Sequence, residues 1–429
     1  MISSLSSYNR LWACLRPVLP LYLNWRSLRG KEDRSRRKER LGSGWQQPRP
    51  KGILIWLHAV SVGETAAAIS LAKACLDQHP SCHILITTNT VAALNRLEQI
   101  QPDRCLSCYQ PLDDPSCVAR FLAFWQPDAA VFLESDFWPN LIIQTAQSGV
   151  PVTFASSQLS DNAFMNWKKR PELAAQLFGS AQLICTVDQT QSQKFRELCQ
   201  AKDGCLSQIK AIGSLKLSPA SLSVDCDFLS ALSTAAADRP VLLAASTHEP
   251  EEELIVNTSR DLTAAGYAHL LVIAPRHRER GDDIARLIPS AKRRSHTAAP
   301  QPGDPIFLAD SLGEMGSLIT ASDIVILGGS FAPKGGHNPL EIAALGKPVI
   351  TGPSQFKNQA EFDTLHAIGQ SVTASDADKL CQLLTAWLEK LKSGEKILNQ
   401  TILSKADAYV TEACERPAKT AQLILNALR

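Results

Sequence analysis

The stretch DIVILGGSFAPKGGHNPLEIAALGKPVITGP, residues 323–353, decides the fold. An apolar run ends in Gly328 and Gly329, and a loop with Gly335 and Gly336 follows. Asn338 stands where a helix cap belongs, Pro339 suits a first turn, and Glu341 occupies the capping-box position three residues on. Gly346 ends that helix, and KPVITG (347–352) reads as the next strand. Strand, glycine turn, helix and strand form the repeating unit of a parallel α/β sheet. Glycines let a ligand approach the backbone closely, and a helix N-terminus favours a phosphate. The segment therefore reads either as a nucleotide-binding turn or as a structural one.

The same alternation extends in both directions. Strand candidates are GILIWL (52–57), HILITT (83–88), AAVFLE (129–134), PVTFAS (151–156) and QLICTV (182–187). A second series runs through PVLLAAS (240–246), HLLVIAP (269–275), PIFLAD (305–310) and the two strands of the opening segment. Helical patterns such as TAAAISLAKACLDQ (65–78) fall between them. The expected architecture is α/β, with two doubly wound Rossmann-like domains facing a central cleft. Residues 43–215 form the first domain, 216–239 a crossover, and 240–429 the second domain with C-terminal helices. In such sheets ligands bind beyond the carboxyl ends of the strands.

Composition narrows the function classes. The chain has 429 residues, too many for a single core. Its net charge of +2 gives no global case for nucleic acid. The twelve cysteines are scattered, which suits a reducing compartment. Cys105-x-x-Cys108 has no second matching pair, so no metal site is expected. Residues 1–42 form a separate segment. Within it, YNRLWACLRPVLPLYLNW (8–25) is apolar but is broken by two arginines and two prolines, too polar for a span of ~20 residues. RSLRGKEDRSRRKERLG (26–42) follows, with eight basic against three acidic residues. An apolar, Trp-bearing segment next to a basic cluster points to attachment at an anionic membrane face. The competing reading is a solvated basic helix.

Two turns carry candidate carboxylates. In WLHAVSVGE (56–64), Ser61-x-x-Glu64 fits a capping box, yet a catalytic carboxylate at a strand-to-helix turn gives the same pattern. In LESDFWPN (133–140), Glu134 stands at a strand end, with Asp136 and Pro139 compatible with a simple cap.

The order GGS…KGGHNPLE…ALGKPVI.GP, together with WLHAVSVGE, LESDFWPN, GSLKLS (213–218), APRHRER (274–280) and DSLGEMGSL (310–318), closely resembles the Kdo (3-deoxy-D-manno-octulosonic acid) transferases of lipopolysaccharide synthesis. The resemblance covers nearly the whole chain. It implies a GT-B glycosyltransferase that inverts the anomeric configuration without a bound metal or other cofactor. The donor substrate would be CMP-Kdo and the acceptor a lipid A precursor, at the cytoplasmic side of the cell inner membrane. By motif matching, Glu64 is the general base and Glu134 a second essential carboxylate. Lys216 is a cation for the phosphate or the Kdo carboxylate. Pro275 and Arg276 match a nucleotide-contacting pair. Gly313, Glu314 and Met315 match a loop whose main chain lies beside the cytosine. Asn338, Pro339, Leu340 and Glu341 match the nucleotide-binding helix start, with Glu341 on ribose hydroxyls. His58 and His337 are expected to shape the two turns.

The chain departs from the family pattern after the strand near residue 155. Family members often read Asn-Ala-Arg-Leu-Ser there, and this chain reads Ser156, Ser157, Gln158, Leu159, Ser160. Trp167, Lys168, Lys169 and Arg170 are the nearby candidates to supply the missing charge. A GT-B enzyme of another specificity, a sugar-nucleotide epimerase and a catalytically silent lipid-binding scaffold are the competing readings. Retention of Glu64, Glu134 and Lys216 together weighs against the scaffold.

Overall fold

The structure, a computed structural model, describes residues 4–199, 208–216 and 222–428. Residues 217–221 of the expected crossover lie outside them. The chain divides into two compact units, Met1–Ser218 with Glu415–Arg429, and Pro219–Cys414.

The first unit is built on seven parallel strands: β1 Leu54–His58, β2 His83–Thr88, β3 Cys105–Tyr109, β4 Ala129–Leu133, β5 Val152–Ser157, β6 Leu183–Thr186 and β7 Gln208–Ala211, in the order β3-β2-β1-β4-β5-β6-β7. β1 is buried along its whole length, as expected of a central parallel strand with both faces covered. Leu54 and Trp56 enter one core cluster, and Ile55 and Leu57 the opposite one. Cys105 and Cys108 likewise join clusters on opposite faces of the sheet, so their thiols cannot share a metal. The strand order reverses at β1 and β4. That reversal leaves a crevice beyond their carboxyl ends.

The second unit repeats the plan with β8 Val241–Thr247, β9 Leu270–Pro275, β10 Lys292–Arg293, β11 Ile306–Leu308, β12 Ile324–Leu327, β13 Val349–Thr351 and β14 Ser371–Thr373, in the order β10-β11-β9-β8-β12-β13-β14. Its reversal falls at β8 and β12. Two boundaries differ from the sequence expectation. Helix Cys226–Ala236, placed in the crossover, buries Phe228, Leu232 and Ala236 in the second core. Residues 415–429, placed in the second domain, belong to the first unit, where Ala421 and Ile424 pack in the cluster of Ile55 and Leu71.

The N-terminal segment forms helices Leu5–Leu15 and Leu19–Leu28. Tyr8 donates its hydroxyl to Asp113 at 2.8 Å, and Arg16 pairs with Asp114 at 2.9 Å. Leu11, Leu15, Val18, Leu21, Tyr22, Trp25 and Leu28 all remain exposed. Among the described residues, no helix is long and apolar enough to cross a membrane. The basic stretch is not uniformly solvated. Arg36 and Arg40 turn inward, because Glu39 and Glu32 wait there as partners, at 2.7 and 3.2 Å. Arg29, Lys31, Arg34 and Lys38 stay exposed.

Candidate active site

The crevice of the first unit is lined by the turns that end β1 and β4. Helix Val62–Gln78 starts after Ser61. Glu64 reaches back over that start. Its Oε2 accepts the Val60 N–H at 2.7 Å and its Oε1 accepts the Ser61 hydroxyl at 3.0 Å. Ser61 caps no backbone N–H. The capping box allowed by the sequence is therefore not made, because the Ser61 hydroxyl points to the carboxylate rather than to the helix. Glu64 is half-buried and keeps further lone-pair sites for an incoming donor.

Glu134 directly follows β4 with a φ of +62°, a left-handed conformation that costs a non-glycine residue ~1–3 kcal/mol. Ser156, at the end of β5, shares this feature with a φ of +56°. Its Oγ accepts the Leu215 N–H at 3.0 Å and so positions the segment that carries Lys216. Lys216 forms an ion pair with the buried Glu134 carboxylate. A Cβ added at Gly63 would touch Lys216 Cε at 3.9 Å, so the lysine stem lies along the Glu64 turn. Burial raises the Glu134 pKa and Lys216 opposes that rise. The nearby Glu64 charge adds to it. The structure thus brings Glu64, Glu134 and Lys216 into one group. Lys216 is engaged by Glu134, not left as an isolated cation.

A second layer holds this group. His58 is fully buried, with Nδ1 on Thr87 Oγ1 at 2.8 Å and Nε2 donating to Asp136 Oδ2 at 2.9 Å. Trp138 Nε1 donates to the same Asp136 oxygen at 2.6 Å. Asp113 accepts the backbone N–H groups of Asn140 and Leu141 at 3.1 and 2.7 Å, which fixes the start of helix Pro139–Gln147. At the departure from the family pattern, Gln158 lies near Glu134 and favours its ionised form. Lys168 instead pairs with Glu197 on the surface.

In the second unit, Pro275 ends β9, and Arg276 anchors its N–H on the Thr247 carbonyl at 3.0 Å while its side chain is exposed. Glu341 is half-buried, which raises its pKa; Asn338 and the Arg276 charge act against that rise. Asn338 Oδ1 accepts the Leu340 N–H at 3.0 Å, and its Nδ2 lies 3.4 Å from Glu341. The helix expected to run to Gly346 is a single turn, Leu340–Ala343, capped at Pro339. Gly313, Glu314 and Met315 form a separate turn after β11. There the Glu314 carboxylate is held by Arg294 at 2.6 Å, so the main chain is what that turn offers.

The glycines of 328–336 serve the chain itself. A Cβ at Gly328 would sit 2.4 Å from the Ser246 carbonyl, so this glycine lets the ends of β8 and β12 close together. The backbone donors of the loop converge on Glu251, which the sequence reading missed. Its carboxylate accepts N–H groups from Gly329 at 2.8 Å, Phe331 at 2.8 Å, Ala332 at 3.0 Å and His248 at 2.9 Å. The acidic run at 251–253 was the one available signal, and it also reads as ordinary complement to a helix dipole. His248 and His337 stack with planes 9° apart and Nε2 atoms 2.9 Å apart, so one ring carries the bridging proton and the other accepts it. Burial, together with His248 and Arg276, lowers the His337 pKa to about 4.

Comparison with known proteins identifies the family. The family model of 3-deoxy-D-manno-octulosonic-acid transferase (kdotransferase) matches residues 35–218. The 3-deoxy-D-manno-octulosonic acid transferase of Haemophilus influenzae is 31% identical over 403 residues, 91% of this chain and 92% of that one. A probable mitochondrial enzyme of the same name from Arabidopsis thaliana is 33% identical, over 80% of this chain and 78% of its own. A glycosyltransferase structure from Rickettsia africae superposes with a TM-score of 0.58 at 13% identity, over 88% of this chain and 99% of that chain, which supports the GT-B fold alone. With two doubly wound units, and relatives aligned over nearly its whole length, the chain belongs to the 3-deoxy-D-manno-octulosonic acid transferases, a family of glycosyltransferases.

Proposed function

We propose that the protein transfers Kdo from CMP-Kdo to a lipid A precursor of the lipid IVA type, at the cytoplasmic face of the inner membrane. The supporting observation is the group formed by Glu64, Lys216 and Glu134 at the strand reversal of the first sheet. Glu64 is the general base. It takes the proton of the acceptor hydroxyl while that oxygen bonds the anomeric carbon, and the bond to the CMP oxygen breaks on the opposite face. One displacement inverts the centre, and CMP leaves with the electron pair. The Val60 N–H and Ser61 hydroxyl orient Glu64 without occupying all its lone pairs. Lys216 favours the ionised form of buried Glu134, and that charge stabilises the electron-poor sugar in the transition state. No cofactor takes part beyond the donor substrate.

In the second unit, Arg276 takes the phosphate through its donor fork, and Glu341 the ribose hydroxyls. The Gly313–Met315 main chain lies beside the base. The exposed apolar side chains of helices Leu5–Leu15 and Leu19–Leu28, with Arg29, Lys31 and Arg34 beyond them, suit attachment to an anionic membrane surface. One assay tests the reading. Purified protein is mixed with CMP-Kdo and a tetra-acylated lipid A precursor, and CMP release is followed with and without acceptor. Acceptor-dependent release is expected. CMP release that ignores the acceptor across several detergents would refute the assignment.

A further inference from the structure

Four backbone N–H groups converge at the reversal point of the second sheet, where doubly wound folds place their ligands. Such a concavity of N–H groups is an anion site by construction. Here the anion is the chain's own Glu251, only 1% exposed. A helix cap explains one of its four bonds, the one from His248 at the start of helix Glu251–Ala264. The other three come from a loop 78 to 81 residues further along. That loop packs against His337, the residue just before Asn338 at the start of the proposed nucleotide-binding helix. A Cβ at Gly329 would lie 3.0 Å from the His337 ring, and His337 in turn feels the charge of Arg276.

We infer that Glu251 sets the donor class: it fills the anion concavity of the second sheet, so the site accepts a nucleotide joined to its sugar through one phosphate and refuses a second. The inference rests on the reading of the second unit as the CMP-Kdo site. A diphosphate donor brings a further anionic phosphate toward the β8–β12 reversal, and that group meets a buried carboxylate instead of free donors. A single phosphate is left to side chains, Arg276 foremost. Glu251 contacts no reacting atom in this scheme. It is a specificity residue acting through the loop it holds.

Glu251→Ala empties the concavity, and Glu251→Gln refills it with a neutral side chain of the same size. Melting temperatures are measured with and without inorganic phosphate, and CMP and CDP affinities by calorimetry. Phosphate is expected to stabilise the alanine variant by more than it stabilises the wild type or the glutamine variant. The CMP-over-CDP preference of the wild type should fall about tenfold in the alanine variant alone. A folded alanine variant with unchanged preference and no phosphate response beyond that of the wild type overturns the inference. Where that variant fails to fold, Glu251→Ser takes its place. Failure of both to fold even in concentrated phosphate also overturns it. A wild type that binds neither nucleotide sinks the donor reading, and the phosphate response still decides the role of Glu251.

Discussion

The first sheet ends β1 and β4 in two turns, each presenting a carboxylate, and Lys216 links them. The second ends β8 and β12 in two turns that close on one carboxylate, which absorbs four N–H groups. The reversal point is the same in both. In the first, Glu134 is buried against a single cation and keeps a raised pKa, and Glu64 stays half-open. In the second, Glu251 is sealed by hydrogen bonds. A carboxylate at a strand end becomes reactive when burial exceeds its compensation, and architectural when the backbone compensates it fully.

Four substitutions test that contrast. Glu64→Gln keeps the size of the side chain and can still accept the Val60 N–H. Folding and nucleotide binding should persist while the transfer rate falls ~10²–10⁴-fold. A near wild-type rate would make Glu64 as architectural as Glu251. Lys216→Met removes the opposing charge, so the Glu134 pKa rises further. Transfer should fall about 10²-fold near neutral pH, and the acidic limb of the rate profile should move to higher pH. A profile that drops without moving would show that Lys216 acts elsewhere. Arg276→Ala removes the proposed phosphate contact of the second unit. It should raise the donor KM roughly 10–100-fold with little change in kcat.

Asp113 supplies the control, a buried carboxylate one layer removed from the β1–β4 reversal, at the start of helix Pro139–Gln147. Burial pushes its pKa from 3.8 up to about 7, even though Leu141, Tyr8 and Asn140 favour the charged form. Its folded pKa lies above its unfolded one. Its contribution to stability is thus complete below the unfolded pKa and is lost as pH rises through about 7. Asp113→Asn should flatten the fall in stability between mildly acidic and neutral pH, by at most about 4 kcal/mol. Its effect on transfer should be the smallest of the four. Thermal melts across pH read the first effect and CMP release the second.

Much of this layout was legible in the chain. HILITT matched β2 at both ends, because a parallel strand buried on both faces is a continuous apolar run. CLSCY was missed as β3. Its cysteines and serine lack the β-branched signature of a strand. QIKA and SVT, as β7 and β14, are edge strands too short or too polar to announce themselves. The grouping of Glu64, Glu134 and Lys216 followed from motif order. The seat of Glu251 escaped, because it joins segments far apart in sequence, and local pattern carries no trace of such a partner.

The Glu251 seat also bears on how the second unit folds. Its glycine turn is not a local element that can form early, since three of its donors stay unsatisfied until helix Glu251–Ala264 docks. Closing a loop of that length costs chain entropy before any bond repays it. The turn therefore orders late, with the contacts that close the sheet between β8 and β12, and its order reports completion of that half of the molecule.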